Sequence, residues 1–78
     1  MKATSDNIRE IIAEADILIE VTKLKNDILL KDQGADSLDL ANILLLLEEK
    51  FKIKIPDQDL DQVQSINAII EYINNKIS

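Results

Sequence analysis

Asp36-Ser37-Leu38-Asp39-Leu40-Ala41-Asn42-Ile43-Leu44-Leu45-Leu46-Leu47-Glu48-Glu49-Lys50-Phe51 is the stretch on which the fold turns. Gly34 precedes it as a loop residue, and Asp36 can accept hydrogen bonds from the open N–H groups of a first helical turn. Asp39 then lies where a negative charge suits the positive end of a helix dipole. Aliphatic side chains cover much of the circumference, which predicts a helix placed centrally among several neighbours.

Outward from this segment the same period recurs. Ile8, Ile11, Ile12 and Ala15 fall at i, i+3, i+4 and i+7, one face of a helix that Thr4 or Ser5 can cap. Ile66, Ile69, Ile70, Ile73 and Ile77 repeat the pattern behind Ser65 as a cap. Ile53-Lys54-Ile55 alternates but is too short for a strand and reads as extended loop. Pro56 suits the first turn of a short helix over about Asp57 to Gln62. From about Ile17 to Ala35 the aliphatics (Ile17, Leu18, Ile19, Val21, Leu24, Ile28, Leu29, Leu30) predict a long loop pinned to the core, with room for a helical turn. One Gly and one Pro in 78 residues agree with an all-α chain. The expected architecture is a small bundle of three main helices plus one short helix, a single domain over residues 1–78.

Composition narrows the chemistry. Cys and His are both absent, which removes disulfides, thiolate and imidazole metal ligands, a Cys nucleophile and a His general base. Fifteen acidic residues against nine basic ones give a net charge of −6. Such a surface repels nucleic-acid backbones and acidic lipid, and favours a basic protein partner. The start, Met1-Lys2-Ala3-Thr4-Ser5-Asp6, lacks the apolar core of a signal peptide. The longest apolar run, Ile43 to Leu47, is far short of a membrane span. A discrete, soluble, cytoplasmic protein is expected. Asp57-Gln58-Asp59-Leu60-Asp61 has the alternating Asp of a calcium loop. Gln62 and Ala68 stand where that loop needs Gly and Glu, so no metal site is expected.

Ser37 is the candidate for chemistry. Asp-Ser-Leu is an ordinary helix start, and on that tripeptide alone a capping role suffices. The same position exposes the hydroxyl to an incoming enzyme, beside N–H groups that favour a phosphate. No neighbouring base can activate it, so it is an acceptor for another enzyme rather than a self-activated nucleophile. A hydrolase built on Ser37 lacks its base and its oxyanion hole.

Gly34-Ala35-Asp36-Ser37-Leu38-Asp39 resembles the phosphopantetheine attachment motif of the acyl carrier protein family. Leu47-Glu48-Glu49-Lys50-Phe51 looks like the family's Leu-Glu-Glu-x-Phe, Ile55-Pro56-Asp57 like its Ile-Pro-Asp, and Glu71-Tyr72-Ile73-Asn74 like its Asp-Tyr-Ile-Asn. The register holds without a gap from Asp32 to Asn74. The resemblance implies that a phosphopantetheinyl transferase moves 4'-phosphopantetheine from coenzyme A to Ser37. The arm's thiol would then hold acyl groups as thioesters for enzymes of fatty-acid biosynthesis. The chain would be a monomeric carrier and not an enzyme. A specialised carrier for a polyketide or other acyl pathway is the alternative, and an unmodified helical adaptor is the alternative of another class.

From Asp32 to Asp61 eight acidic residues face three basic ones, a local net of −5. The resemblance implies that Asp36, Leu38, Asp39, Glu48, Glu49 and Asp57 meet basic patches on partner enzymes. It also implies an acyl pocket lined by Leu47, Phe51, Ile55, Leu60, Val63, Ile69 and Ile73. Three departures stand out. Gln33 replaces the usual Leu before the Gly, so the loop is either less firmly held or fastened by a polar contact. Asn42 replaces a common Glu and removes a docking charge. Leu60 and Ile69 stand where Ala is frequent; either the acyl cavity is reduced, so that short chains are favoured or chains stay in solvent, or the bundle repacks and keeps its capacity.

Overall fold

A computed structural model describes residues 2–15 and 20–77. Three α-helices carry the fold: α1 (Ser5–Glu14), α2 (Ser37–Phe51) and α3 (Ile66–Ile77). Three 3₁₀ helices, Val21–Lys23, Leu30–Gln33 and Asp57–Gln62, punctuate the connections, and the described residues contain no strand. This is the all-helical bundle that the spacing predicts. The expected readings of Ile17, Leu18 and Ile19 fall outside the described residues.

Each α-helix begins where a side-chain oxygen can take a first-turn N–H. The Asn7 N–H donates to Thr4 Oγ1 at 3.2 Å, and the Ala68 N–H donates to Ser65 Oγ at 3.1 Å. Asp36 caps α2 in a reciprocal pair with Asp39, described below. The far end of α2 closes on Lys52, whose backbone turns left-handed (φ 55°, ψ 48°) and returns its N–H to the Glu48 carbonyl. Gly34 (φ 107°) ends the 3₁₀ helix Leu30–Gln33. A Cβ there would meet the neighbouring carbonyl, so the glycine is a requirement of that turn.

α1 packs against both α2 and α3. The apolar faces meet in one core, in which Ile8, Ile12, Leu30, Ile43, Leu47, Val63, Ile66, Ile69 and Ile73 are fully buried. Apart from Tyr72, whose hydroxyl is hydrogen-bonded, no polar or charged side chain is buried among the described residues. The central placement expected for α2 is not what is found. Leu38 is 69% exposed and Leu45 57%, while Leu40 and Leu46 are half-buried. A chain this short lacks the material to surround a helix of 15 residues, so one side of α2 faces solvent. The short helix after Pro56 is 3₁₀, and Pro56 caps it from outside its first turn (φ −68°, ψ 156°).

The connection between α1 and α2 is held by side chains from other elements. The Arg9 guanidinium on α1 donates to the carbonyls of Val21 and Leu24, both at 2.6 Å, and to Asn26 Oδ1 at 2.7 Å. Asn26 passes the link on: its carbonyl accepts the Asn67 N–H at 3.0 Å, at the start of α3. The Leu30 N–H reaches the Gln64 carbonyl at 2.8 Å. Gln33 makes the polar contact that was one of the two expectations for it. Its Oε1 accepts the Lys25 N–H at 2.7 Å, and its Nε2 donates to the carbonyls of Lys25 (3.0 Å) and Ile28 (2.9 Å). A leucine could make none of these bonds.

Candidate functional site

The site is built at the head of α2. Gly34 reverses the chain, and Ala35 turns its methyl into the core (4% exposed) with its N–H on the Leu30 carbonyl at 3.1 Å. That anchor fixes where α2 starts. The Asp39 N–H donates to Asp36 Oδ1 at 2.8 Å, and the Asp36 N–H donates to Asp39 Oδ2 at 3.3 Å, so each carboxylate holds the other residue's backbone. Ser37 follows as the first helical residue, exposed to solvent.

Its hydroxyl makes no hydrogen bond to a carboxylate or other base among the described residues, and Asp36, its neighbour in sequence, is occupied with the cap. The Leu40 N–H is taken by the Asp36 carbonyl at 3.0 Å. The N–H groups of Ser37 and Leu38 have no protein partner among the described residues. They lie at the positive end of the helix dipole, where an anionic oxygen is favoured.

Ser37 opens onto a groove of about 600 Å³ between α2 and the 3₁₀ helix Asp57–Gln62. Its apolar wall is Leu40, Leu44, Leu45, Ile55 and Leu60, and its polar rim includes Lys31, Asp36, Glu48 and Asp57. Of the seven residues expected to line an acyl pocket, Ile55 and Leu60 face this groove. Leu47, Phe51, Val63, Ile69 and Ile73 are buried in the core. Leu60 is 38% exposed and lines the groove, whereas Ile69 is fully buried and does not. The residues that sequence reasoning missed, Leu40, Ala41, Leu44 and Leu45, could have been found by stepping from Ser37. They fall at +3, +4, +7 and +8, with Glu48 at +11, on one helical face.

The docking candidates do not share one condition. Asp36, Leu38, Glu49 and Asp57 are exposed, and Asp39 is half-buried in the cap. Glu48 is half-buried with Oε2 accepting the Ile55 N–H at 2.7 Å, which ties the extended segment after α2 back to the helix. On the other side of the 3₁₀ helix, the Tyr72 hydroxyl donates to Asp59 Oδ2 at 2.6 Å. Burial, the bond to Asp59 and the negative charges of Asp59 and Glu48 push the Tyr72 phenol up to about 12. No cluster of three or more metal-ligating side chains occurs among the described residues, and no described helix is long and apolar enough to cross a membrane.

The family model described as "Phosphopantetheine attachment site" matches residues 6–73. A small helical bundle matched over that span is a carrier domain of the phosphopantetheine-bearing class. The acyl carrier proteins of Campylobacter jejuni subsp. doylei and of Campylobacter jejuni strain RM1221 are each 38% identical over 74 residues, covering 94% of this chain and 95% of theirs. That of Campylobacter lari is 35% identical over the same coverage. The chain belongs to the acyl carrier protein family. It is therefore a carrier rather than an enzyme, and its prosthetic group is covalent 4'-phosphopantetheine. The α2 head fits that group: it offers an exposed hydroxyl, two open N–H groups beside it and an apolar groove of about 600 Å³.

Proposed function

We propose that Ser37 is the residue that carries the phosphopantetheine. The observation that supports this is its place as the exposed first residue of α2, opening onto the groove. With no base in reach, the hydroxyl waits for a transferase to deprotonate it. The N–H groups of Ser37 and Leu38 and the dipole of α2 then offset part of the charge of the phosphodiester. When bound, the group supplies a terminal thiol that holds acyl groups as thioesters.

Around that attachment point the chain's own residues position and present. Ala35, Gly34 and the Asp36–Asp39 pair fix the head of α2, so the arm leaves from a rigid place. Leu40, Leu44, Ile55 and Leu60 offer an apolar wall to the first part of an acyl chain. The core below them, in which Leu47, Val63, Ile69 and Ile73 are buried, favours shorter cargo. Asp36, Leu38, Asp39, Glu49 and Asp57 present an acidic surface with an exposed leucine to basic patches on partner enzymes. Glu48 takes part through its remaining carboxylate oxygen. The pathway is fatty-acid biosynthesis, and the carrier works as a cytoplasmic monomer over residues 1–78.

Intact-mass measurement tests the assignment. Apo protein incubated with coenzyme A and a broad-specificity phosphopantetheinyl transferase gains one phosphopantetheine, and Ser37→Ala gains none. Addition that persists in Ser37→Ala moves the site elsewhere. No addition, under conditions that load a control carrier, favours the unmodified adaptor.

A further inference from the structure

The charged residues that line the groove at Ser37 are three acids, Asp36, Glu48 and Asp57, and one cation, Lys31. The rim is therefore net acidic. Two of the acids are engaged by backbone: Asp36 Oδ1 accepts the Asp39 N–H at 2.8 Å, and Glu48 Oε2 accepts the Ile55 N–H at 2.7 Å. Lys31 is exposed and makes no ion pair among the described residues. The pairs found there are Lys23 with Glu20 and Lys50 with Glu14, and none of those four residues lines the groove.

The backbone that carries Lys31 is fixed on both sides. Leu30 before it is fully buried and donates its N–H to the Gln64 carbonyl at 2.8 Å. The Asp32 N–H after it is held by the Leu29 carbonyl at 3.0 Å. The Leu30 carbonyl also takes the Ala35 N–H at 3.1 Å, the bond that fixes where α2 starts. Lys31 and Ser37 thus stand on one short frame, and only the lysine side chain remains to be ordered.

Loading changes the electrostatics of this rim. A phosphodiester on Ser37 adds a permanent anion beside three carboxylates, and like charges so placed repel. The open N–H groups at the head of α2 offset part of that repulsion with partial charges. Lys31 is the one full positive charge lining the groove, and it has no other partner among the described residues.

We propose that Lys31 pairs with the phosphodiester of the loaded arm and turns the root of the arm into the groove between α2 and the 3₁₀ helix Asp57–Gln62. The pairing rests on the reading of Ser37 as the attachment residue. A lysine suits it, because a compact ammonium with three rotatable donors needs no fixed orientation of the phosphate oxygens. An arm held this way delivers its cargo along the wall of Leu40, Leu44 and Leu60 rather than into open solvent.

The test compares apo and phosphopantetheine-loaded protein in wild type, Lys31→Gln and Lys25→Gln, with loading at Ser37 checked by mass. Lys25 is an exposed lysine of the same connection that does not line the groove, so its variant matches the change in net charge alone. At low salt, the shift in melting temperature on loading is about 2–4 °C less favourable in Lys31→Gln than in wild type or Lys25→Gln. The difference closes at about 1 M salt, where screening acts over about 3 Å. The phosphorus-31 resonance of the loaded arm gives a second readout: it moves in Lys31→Gln and stays in place in Lys25→Gln. Equal loading shifts in wild type and Lys31→Gln, or an unmoved resonance, overturn the proposal. An equal effect of Lys25→Gln also overturns it, by assigning the effect to net charge rather than to a contact. A chain that takes no phosphopantetheine, or takes it at another residue, overturns this proposal together with the reading of Ser37. A chain loaded at Ser37 that ignores Lys31 overturns this one alone.

Discussion

Replacing Arg9 with Ala removes three short bonds, to the carbonyls of Val21 and Leu24 and to Asn26 Oδ1, at 2.6, 2.6 and 2.7 Å. Bonds to a charged donor contribute about 1.5–3 kcal/mol each when well buried. These are part-buried, so about 1 kcal/mol each is the appropriate scale, and the variant loses about 3 kcal/mol. A domain of 78 residues has about 8 kcal/mol of stability in all. One side chain on α1 therefore supports more than a third of it. Urea unfolding reads the loss directly: with a slope of about 1 kcal/mol per molar, the midpoint falls by about 3 M. Arg9→Lys keeps the charge but cannot fork across three acceptors, so it recovers about 1 kcal/mol. Amide exchange locates the damage. Protection falls across 20–35 and at Asn67, whose N–H depends on Asn26, before it falls in the middle of α2. A midpoint shift in Arg9→Ala of under about 0.5 M would show that the loop is held by its apolar contacts alone, and the reasoning would be wrong.

Two further outcomes follow from bonds already described. Gln33→Leu exchanges three bonds to loop carbonyls and an N–H for an apolar side chain at a half-exposed position. It costs about 1–2 kcal/mol in thermal unfolding, and equal stability would show that the loop packs as well around Leu. Tyr72 concerns alkaline pH. Its folded value lies near 12 against an ordinary 10. Its contribution is therefore fully present below pH 10 and disappears as pH rises through 12. Wild type should exceed Tyr72→Phe by a constant margin up to about pH 10, with the margin shrinking above it. A margin that widens above pH 10 would refute the assignment.

The parts of this fold that the sequence makes legible are those set by neighbours along the chain. Thr4, Asp36 and Ser65 announce helix starts because a cap acts over three residues. The isoleucine faces of α1 and α3 are readable because their period is local. The stretch from 20 to 35 has no such period. Its path is fixed by Arg9, 12 to 17 residues away in sequence, and by Gln33, whose amide bonds no spacing rule foretells. The site divides in the same way. Ser37 and its cap are local, and so is the acidic head. The groove is not, because it depends on how far the 3₁₀ helix Asp57–Gln62 stands from α2. Val63, Ile69 and Ile73 share the aliphatic character of a pocket wall, and only packing shows how deeply they are buried. Glu48 reads as a surface charge, yet part of its carboxylate is turned to the backbone of Ile55.

The reciprocal pair at the head of α2 has a consequence for how this protein can evolve. Asp36 and Asp39 each combine a charge with a backbone bond that starts the helix. A change that retunes the charge seen by another protein also alters where Ser37 sits. Such positions are pleiotropic, and drift there is constrained from two sides. Asn42 and Lys54 have no comparable structural duty, since both are exposed and neither caps nor fills anything. Adaptation to a new set of enzymes is therefore expected to accumulate along the middle and far end of α2. The serine end, where architecture and charge are inseparable, should change last.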